Sequence, residues 1–360
     1  MITVIIPTFN RSKFLRRAIE SVLKQTYQNR CILIMDNNSS DDTARVVNEY
    51  IATGAKIKYK CNEKNVGSLQ NFIRGINAIE TDYYCMLCDD DFLLPSFMEE
   101  VMGAFDDPEV MFSCAKTLVA DLPRAKIFFR TKDWDAGYYL PSNKTVCKMF
   151  SSHFTTTGVV FRREVRDLIG PFDVGGTDVL YTAFAAASFK FYVADYYGAV
   201  FTVHDNSYTN SGGVGAEGEA RLFELVVQTV AEVMKLQLTN ERKTLLTKLV
   251  LDYYMPILRS NICSLERSFL KYNLTDEMSW RCVHVSKYEL IIGTLIMLPK
   301  FLSPLAIKLA KYVETVLRKK TERWFHLNGR NITMDISPTL TTEASDFDAV
   351  GNWVANQRPL

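Results

Sequence analysis

The sequence predicts a doubly wound α/β domain followed by a helical region, and three observations predict it. Apolar runs recur at residues 2–6 (ITVII), 31–35 (CILIM) and 83–88 (YYCMLC), with stretches of helical spacing between them. The runs are uninterrupted rather than alternating, as parallel strands buried on both faces require. After a glycine-rich stretch at 210–219 (NSGGVGAEGE), the composition turns to helix formers through about residue 320.

Taken in order, ITVII is the first strand. Phe14, Leu15, Ala18, Ile19, Val22 and Leu23 then repeat at helical spacing, and CILIM is the second strand. A helix follows Asp41, then a short strand IKYK (57–60), a helix from about Ser68 to Ile79, and the third long strand YYCMLC. Residues 110–204 mix strand-like VMFSCAKTLV, KIFFR, TTGVVF, KFYVAD and AVFTVH with helix-like REVRDLIG and VLYTAFAAAS, and belong to the other half of the same mixed sheet. The expected organisation is an α/β domain over 1–210, a helical region over 219–325 and an irregular tail over 326–360.

With 360 residues, 48% of them hydrophobic, the chain can bury a large core. Its 42 basic and 41 acidic residues nearly cancel, so no global field recruits nucleic acid, and a charged ligand must be captured locally. The eight cysteines are scattered, several in apolar runs, and read as reduced core thiols of a cytoplasmic protein. The opening MITVIIPTFNRSK lacks the basic-then-apolar layout of a secretory signal. The longest apolar stretch, 290–299, is shorter than the roughly 20 residues that cross a bilayer. Residues 288–320 place lysines and arginines among apolar residues; they suit peripheral contact with the inner face of the cell membrane and, equally, a homo-oligomer or interdomain interface.

In a doubly wound sheet, ligands bind beyond the carboxyl ends of the strands. Here those ends are polar: Pro7, Thr8 and Asn10 after the first strand, Asp36, Asn37, Asn38 and Ser39 after the second, and Asp89, Asp90 and Asp91 after the third long one. Three adjacent carboxylates repel one another and are stable mainly when a cation such as Mg2+ or Mn2+ compensates them. An Asx turn or helix cap ahead of Pro95 is the plainer alternative, but it needs only one aspartate.

VIIPTFNR, MDNNSSDDT, NEKNVGSLQNFIRG and CDDDFLLP, in this order, resemble the motifs of family 2 glycosyltransferases of the bacterial surface-polysaccharide type, with the inverting GT-A fold, over roughly residues 1–205. The resemblance implies that Pro7, Thr8 and Asn10 contact the nucleotide, and that Asp36 or Asn37 meets the base. It implies a donor-site lining from Asn65, Gly67 and Asn71, and a metal-diphosphate motif of Asp89, Asp90 and Asp91, with Asp90 and Asp91 holding Mn2+ or Mg2+ and Asp89 serving the ribose or the metal. The plainer reading of NVGSLQNFIRG is a loop leading into a helix that starts at Ser68. Two departures stand out: Asn37 replaces a second aspartate, and Cys88 occupies the first position of a D-x-D-D form.

Inverting transfer needs a general base opposite the leaving nucleotide. In GGTDVLYTAF the resemblance assigns Asp178 that role, with Thr177 where the family usually has glutamate; a helix cap is the alternative. His204, after the last apolar strand, resembles a family histidine near the diphosphate and metal, and the loop holding Ser207 and Thr209 has the composition of a lid. The expected activity is transfer of a sugar from a UDP- or dTDP-sugar to a hydroxyl of a glycan or lipid-linked glycan in O-antigen or capsule synthesis. The rivals are a sugar nucleotidyltransferase, whose Gly-rich basic N-terminal loop is missing here, and a non-catalytic carbohydrate- or nucleotide-binding scaffold.

Overall fold

The structure, a computed structural model, describes residues 1–124, 126–170, 178–205, 229–260 and 334–335, with backbone alone for Asp178, 252–260 and 334–335. The glycine-rich 210–219, the lid segment, the 288–320 segment and most of the 326–360 tail lie outside the described residues. The chain divides into two compact units: Met1–Ser211 with Gln228–Leu246 and Thr333–Leu360, and Gly212–Val227 with Thr247–Ile332. Of the second unit only residues 247–260 are described, as helix.

In the first unit, β1 (Ile2–Thr8), β2 (Arg30–Asp36), β3 (Ile57–Cys61) and β4 (Tyr83–Met86) lie parallel in the order β3-β2-β1-β4. They are linked by α1 (Ser12–Leu23), α2 (Thr43–Ala52) and α3 (Ser68–Asn77). Every residue of β1 is buried, which is the reason its sequence does not alternate. α1 buries Leu15, Ala18, Ile19 and Val22, the expected face, and also Arg17 and Ser21, which periodicity does not anticipate. α3 lies so close to the sheet that a Cβ at Gly75 would come within 2.7 Å of the Ile5 side chain, so glycine sets the spacing.

Beyond β4 come β5 (Phe92–Leu93), α4 (Phe97–Met102), β6 (Val110–Asp121), β7 (Lys126–Phe129), β8 (Gly137–Tyr139), α5 (Asn143–Ser151), β9 (Val159–Arg162), α6 (Arg163–Ile169), α7 (Asp178–Ser188), β10 (Lys190–Val203), α8 (Asn240–Ser260) and β11 (Met334–Asp335). The second half continues the same sheet, but β9 and β7 are antiparallel, so the sheet is mixed. β9 runs antiparallel to β4 and β6 antiparallel to β9; two reversals restore the direction of β4, and β10 runs parallel to β6. The carboxyl end of β10 therefore opens on the same edge as those of β1, β2 and β4.

KFYVAD and AVFTVH prove to be one strand, β10, whose register shifts between Val193 and Tyr197 and again before Ala199. Gly198 permits this, since a Cβ there would sit 2.8 Å from both the Ala115 and Phe97 side chains. Among the described cysteines all are free, but only Cys85 and Cys114 are buried, while Cys61 and Cys147 are exposed, so the reading of core thiols holds for two. Among the described residues, no helix is long and apolar enough to cross a membrane.

Candidate active site at the carboxyl edge of the sheet

Register places the polar strand ends side by side. Thr8 is paired with Asp36 at the ends of β1 and β2, and the backbone N–H of Leu87 donates to Ile5 O at 2.9 Å, so residues 88–91 rise beside Thr8. The two loops lock together through residues in the left-handed region, Asn10 (φ 54) and Asn38 (φ 67). Asparagine tolerates that conformation better than most side chains. Asn10 Oδ1 accepts from Ser40 N at 2.7 Å, and Asn10 N donates to Ser39 Oγ at 2.9 Å.

The three aspartates are adjacent in sequence but enter three different environments. Asp89 accepts from Thr8 Oγ1 at 2.8 Å and from Arg11 at 3.2 Å. Asp90 Oδ2 faces both Arg11, at 2.9 Å, and His204 Nε2, at 3.1 Å. Asp91 is turned inward with no exposure: its Oδ1 accepts from Thr202 N at 2.8 Å and its Oδ2 from Thr157 Oγ1 at 2.7 Å. Burial, followed by the neighbouring charge of Asp90, pushes Asp89 up to about 7 and raises Asp91 well above the ordinary carboxylate range.

The expectation that a cation compensates this triplet is extended by the structure, because the fold also brings cations of its own. Arg11 is joined by Arg17, a buried α1 residue that donates to the Asp90 carbonyl at 2.5 Å and to Thr202 Oγ1 at 3.0 Å. Its guanidinium lies 4.9 Å from the Phe92 ring centroid, and its charge offsets part of the rise at Asp91. His204, buried, stacks on Phe14 with ring centroids 4.5 Å apart, which fixes the imidazole beside Asp90. The residues still fit a divalent cation: ligand atoms of Cys88, Asp90 and Asp91 lie within 4.8 Å of one another.

The asparagines after β2 form a second network. Asn37 Oδ1 accepts from Val66 N at 2.9 Å and from Asn62 at 3.1 Å, while its amide donates to Asn65 Oδ1 at 2.7 Å. Asn62 also donates to Asn71 Oδ1 at 2.8 Å, and Asn71 donates to Met35 O at 2.7 Å. Asn71 is thus buried and bonded within the fold, whereas Asn65 and Gly67 (φ 84) are exposed at the loop that caps α3. Asp36, also buried, accepts from Ser39 N at 2.9 Å and from Tyr59 OH at 2.6 Å. Pro7 is buried at the end of β1.

Asp178 opens α7, and its side chain lies outside the described residues, as does Thr177. One turn further on, Tyr181 OH meets Tyr84 OH at 2.7 Å between two fully buried rings, tying α7 to β4. Sequence reasoning missed Arg11, Arg17, Thr157, Thr202 and Asn62. Of these only Arg17 left a trace, as a charge beside the apolar stripe of α1.

The profile of Glycosyl transferase family 2 matches residues 3–170. The Campylobacter jejuni GalNAc(5)-diNAcBac-PP-undecaprenol beta-1,3-glucosyltransferase is 35% identical over 102 residues, 28% of this chain and 33% of that protein. Escherichia coli chondroitin synthase is 29% identical over 125 residues, 34% of this chain and 18% of that one. The chain thus spans about a third or less of the length of these curated relatives. The fold resembles the crystal structure of S. aureus TarS 1–349 in complex with UDP-GlcNAc, with a TM-score of 0.64 at 15% identity, covering 89% of this chain and 92% of that one.

Proposed function

Because residues 3–170 make this chain a member of the family 2 glycosyltransferases, we propose that residues 1–210 form a catalytic domain that moves a sugar, with inversion, from a UDP- or dTDP-sugar to a hydroxyl of a glycan or lipid-linked glycan. A role in cell-surface polysaccharide synthesis, with residues 219–325 packing, pairing copies or resting on the membrane surface, completes the proposal. The relatives support this class of acceptor: one is named for a polyprenyl-diphosphate glycan and another for chondroitin.

The observation that carries the reading is the gathering of Thr8, Asp89, Asp90 and His204 at one sheet edge by direct hydrogen bonds. In this role Asp90 and Asp91, with His204 beside them, would hold Mn2+ or Mg2+, whose charge neutralises the diphosphate as it leaves. Thr8, Asn10, the Asp36–Asn37 turn and the Asn65–Gly67 loop would frame the nucleotide.

Asp178 would take the acceptor proton. This reading rests on the position of Asp178 at the start of α7, shortly after GPFD in the sequence.

The test is a thermal-shift panel of UDP, dTDP and their sugars, with and without Mn2+. A ligand at a hundred times its Kd stabilises by about 2.7 kcal/mol, so the native protein melts several degrees higher with the correct pair. Asp178→Asn should keep that shift and lose transfer by roughly 10²–10⁴-fold in kcat. No metal-dependent stabilisation by any nucleotide would sink the reading.

A further inference from the structure

We infer that Arg11 is a diphosphate-contacting residue which, before the donor arrives, fills the cation seat itself. The inference rests on the sugar-transfer reading above and assigns a role to a residue that reading does not use.

Arg11 precedes the first residue of α1 and reaches across to the aspartates of the β4 exit. Its guanidinium lies 2.9 Å from Asp90 Oδ2 and 3.2 Å from Asp89 Oδ1. The same Asp90 oxygen is the one that His204 meets at 3.1 Å. Any divalent cation bound through that oxygen would stand within a few ångströms of the guanidinium, where two positive charges repel. Metal and Arg11 therefore compete for one carboxylate.

The movable partner is the arginine. Its side chain is 27% exposed, against 6% for Asp89 and 12% for Asp90, and it hangs on a long stem at a helix start. Burial disfavours its charge, but Asp89 and Asp90 outweigh that and hold it above its ordinary value, so it stays a cation. A nucleoside diphosphate entering the edge brings oxygens to which a guanidinium binds in fork geometry. Arg11 then exchanges carboxylate for phosphate and frees Asp90 for the metal. Diphosphate and metal so strengthen each other's binding, and by linkage the effect is reciprocal.

The test measures Mn2+ binding to the full chain by the electron paramagnetic resonance of free Mn2+, alone and with UDP or dTDP. The native protein should bind Mn2+ weakly alone and at least about tenfold more tightly with the nucleotide. Arg11→Gln should bind Mn2+ alone about tenfold more tightly than the native protein, bind the nucleotide less well in EDTA, and lose most of the coupling. Arg11→Lys, which keeps the charge but not the fork, should lie between them, and matching melting temperatures show that all three fold.

Unchanged or weaker Mn2+ binding by Arg11→Gln, with coupling intact in both proteins, would overturn the role of Arg11 and leave sugar transfer standing. Absence of Mn2+ and nucleotide binding in the native protein would overturn both.

Discussion

Replacing Asp91 by asparagine and by alanine separates charge from hydrogen bonding at the sealed end of the triplet. Both carboxylate oxygens accept from groups that are themselves buried, Thr202 N at 2.8 Å and Thr157 Oγ1 at 2.7 Å. The backbone N–H can only donate, so an asparagine must present its oxygen to Thr202 and its amide to Thr157. The Thr157 hydroxyl can rotate to accept. Both bonds survive, and only the charge is lost. Burial, with the Asp90 charge second, raises Asp91 well above the ordinary range, so its surroundings already disfavour the charge that asparagine removes. Asp91→Asn should cost no more than about 1 kcal/mol.

Alanine strands two buried donors, at about 1–3 kcal/mol each, or roughly 2–6 kcal/mol in all. For a domain of this size about 2–4 °C of melting temperature accompanies each kcal/mol. Differential scanning fluorimetry of the metal-free protein should therefore show a loss of a few degrees for asparagine and roughly 5–20 °C for alanine. Asparagine melting as low as alanine would refute the reasoning, since it would mean that the ionised carboxylate itself holds this edge together. In its proposed role as a metal ligand, Asp91→Asn also shrinks the rise produced by Mn2+ with nucleotide.

Two further outcomes are expected. Asp89, raised to about 7 by burial and then by Asp90, keeps in the folded state a proton that the unfolded chain releases, so its contribution to stability is full below about pH 4 and is lost as pH climbs through about 7. Urea unfolding of the metal-free protein should show this loss between about pH 5.5 and 8, and a flat stability profile across that range contradicts the assignment. The Tyr84–Tyr181 hydroxyl pair is fully buried, so Tyr181→Phe should cost about 1–3 kcal/mol by taking the partner of the Tyr84 hydroxyl away. Replacing both tyrosines should cost less than the sum of the two single replacements, and strict additivity in a denaturation double-mutant cycle would rule the pair out as a coupled unit.

The parallel half of the sheet was legible because full burial on both faces writes itself as unbroken apolar runs, as in β1. The second half was harder for particular reasons. The YYG between KFYVAD and AVFTVH separates two strand-like runs in the sequence, yet β10 passes through it by register shifts that a close-packed Gly198 allows. α5 buries only Thr145, Val146 and Met149, too sparse a stripe to register as a helix, and β8 is three residues long. At the site, polar strand ends predicted which loops converge, since parallel register places them together. Their inward partners were not legible: Thr157 and Thr202 lie 66 and 111 residues from Asp91, and only the fold says which way each side chain turns.

The triplet shows why sequence adjacency is a poor guide to shared function at a strand end. Leaving β4, the chain turns successive side chains toward different neighbours. Asp89 meets Thr8 and Arg11, Asp90 meets Arg11 and His204, and Asp91 meets Thr157 and Thr202. Repulsion among three carboxylates is relieved mainly by this divergence and by internal cations. The need for an external ion is therefore reduced to the group that remains partly open, and Asp90, 9% exposed against none for Asp91, is that group. An ion seated there must displace a guanidinium already in place. Its binding would then be conditional on whatever gives Arg11 a better partner, and in the proposed sugar transfer that is the donor diphosphate. The same arrangement limits the cost of waiting without substrate, because buried carboxylates left bare at neutral pH would destabilise the edge that holds the site.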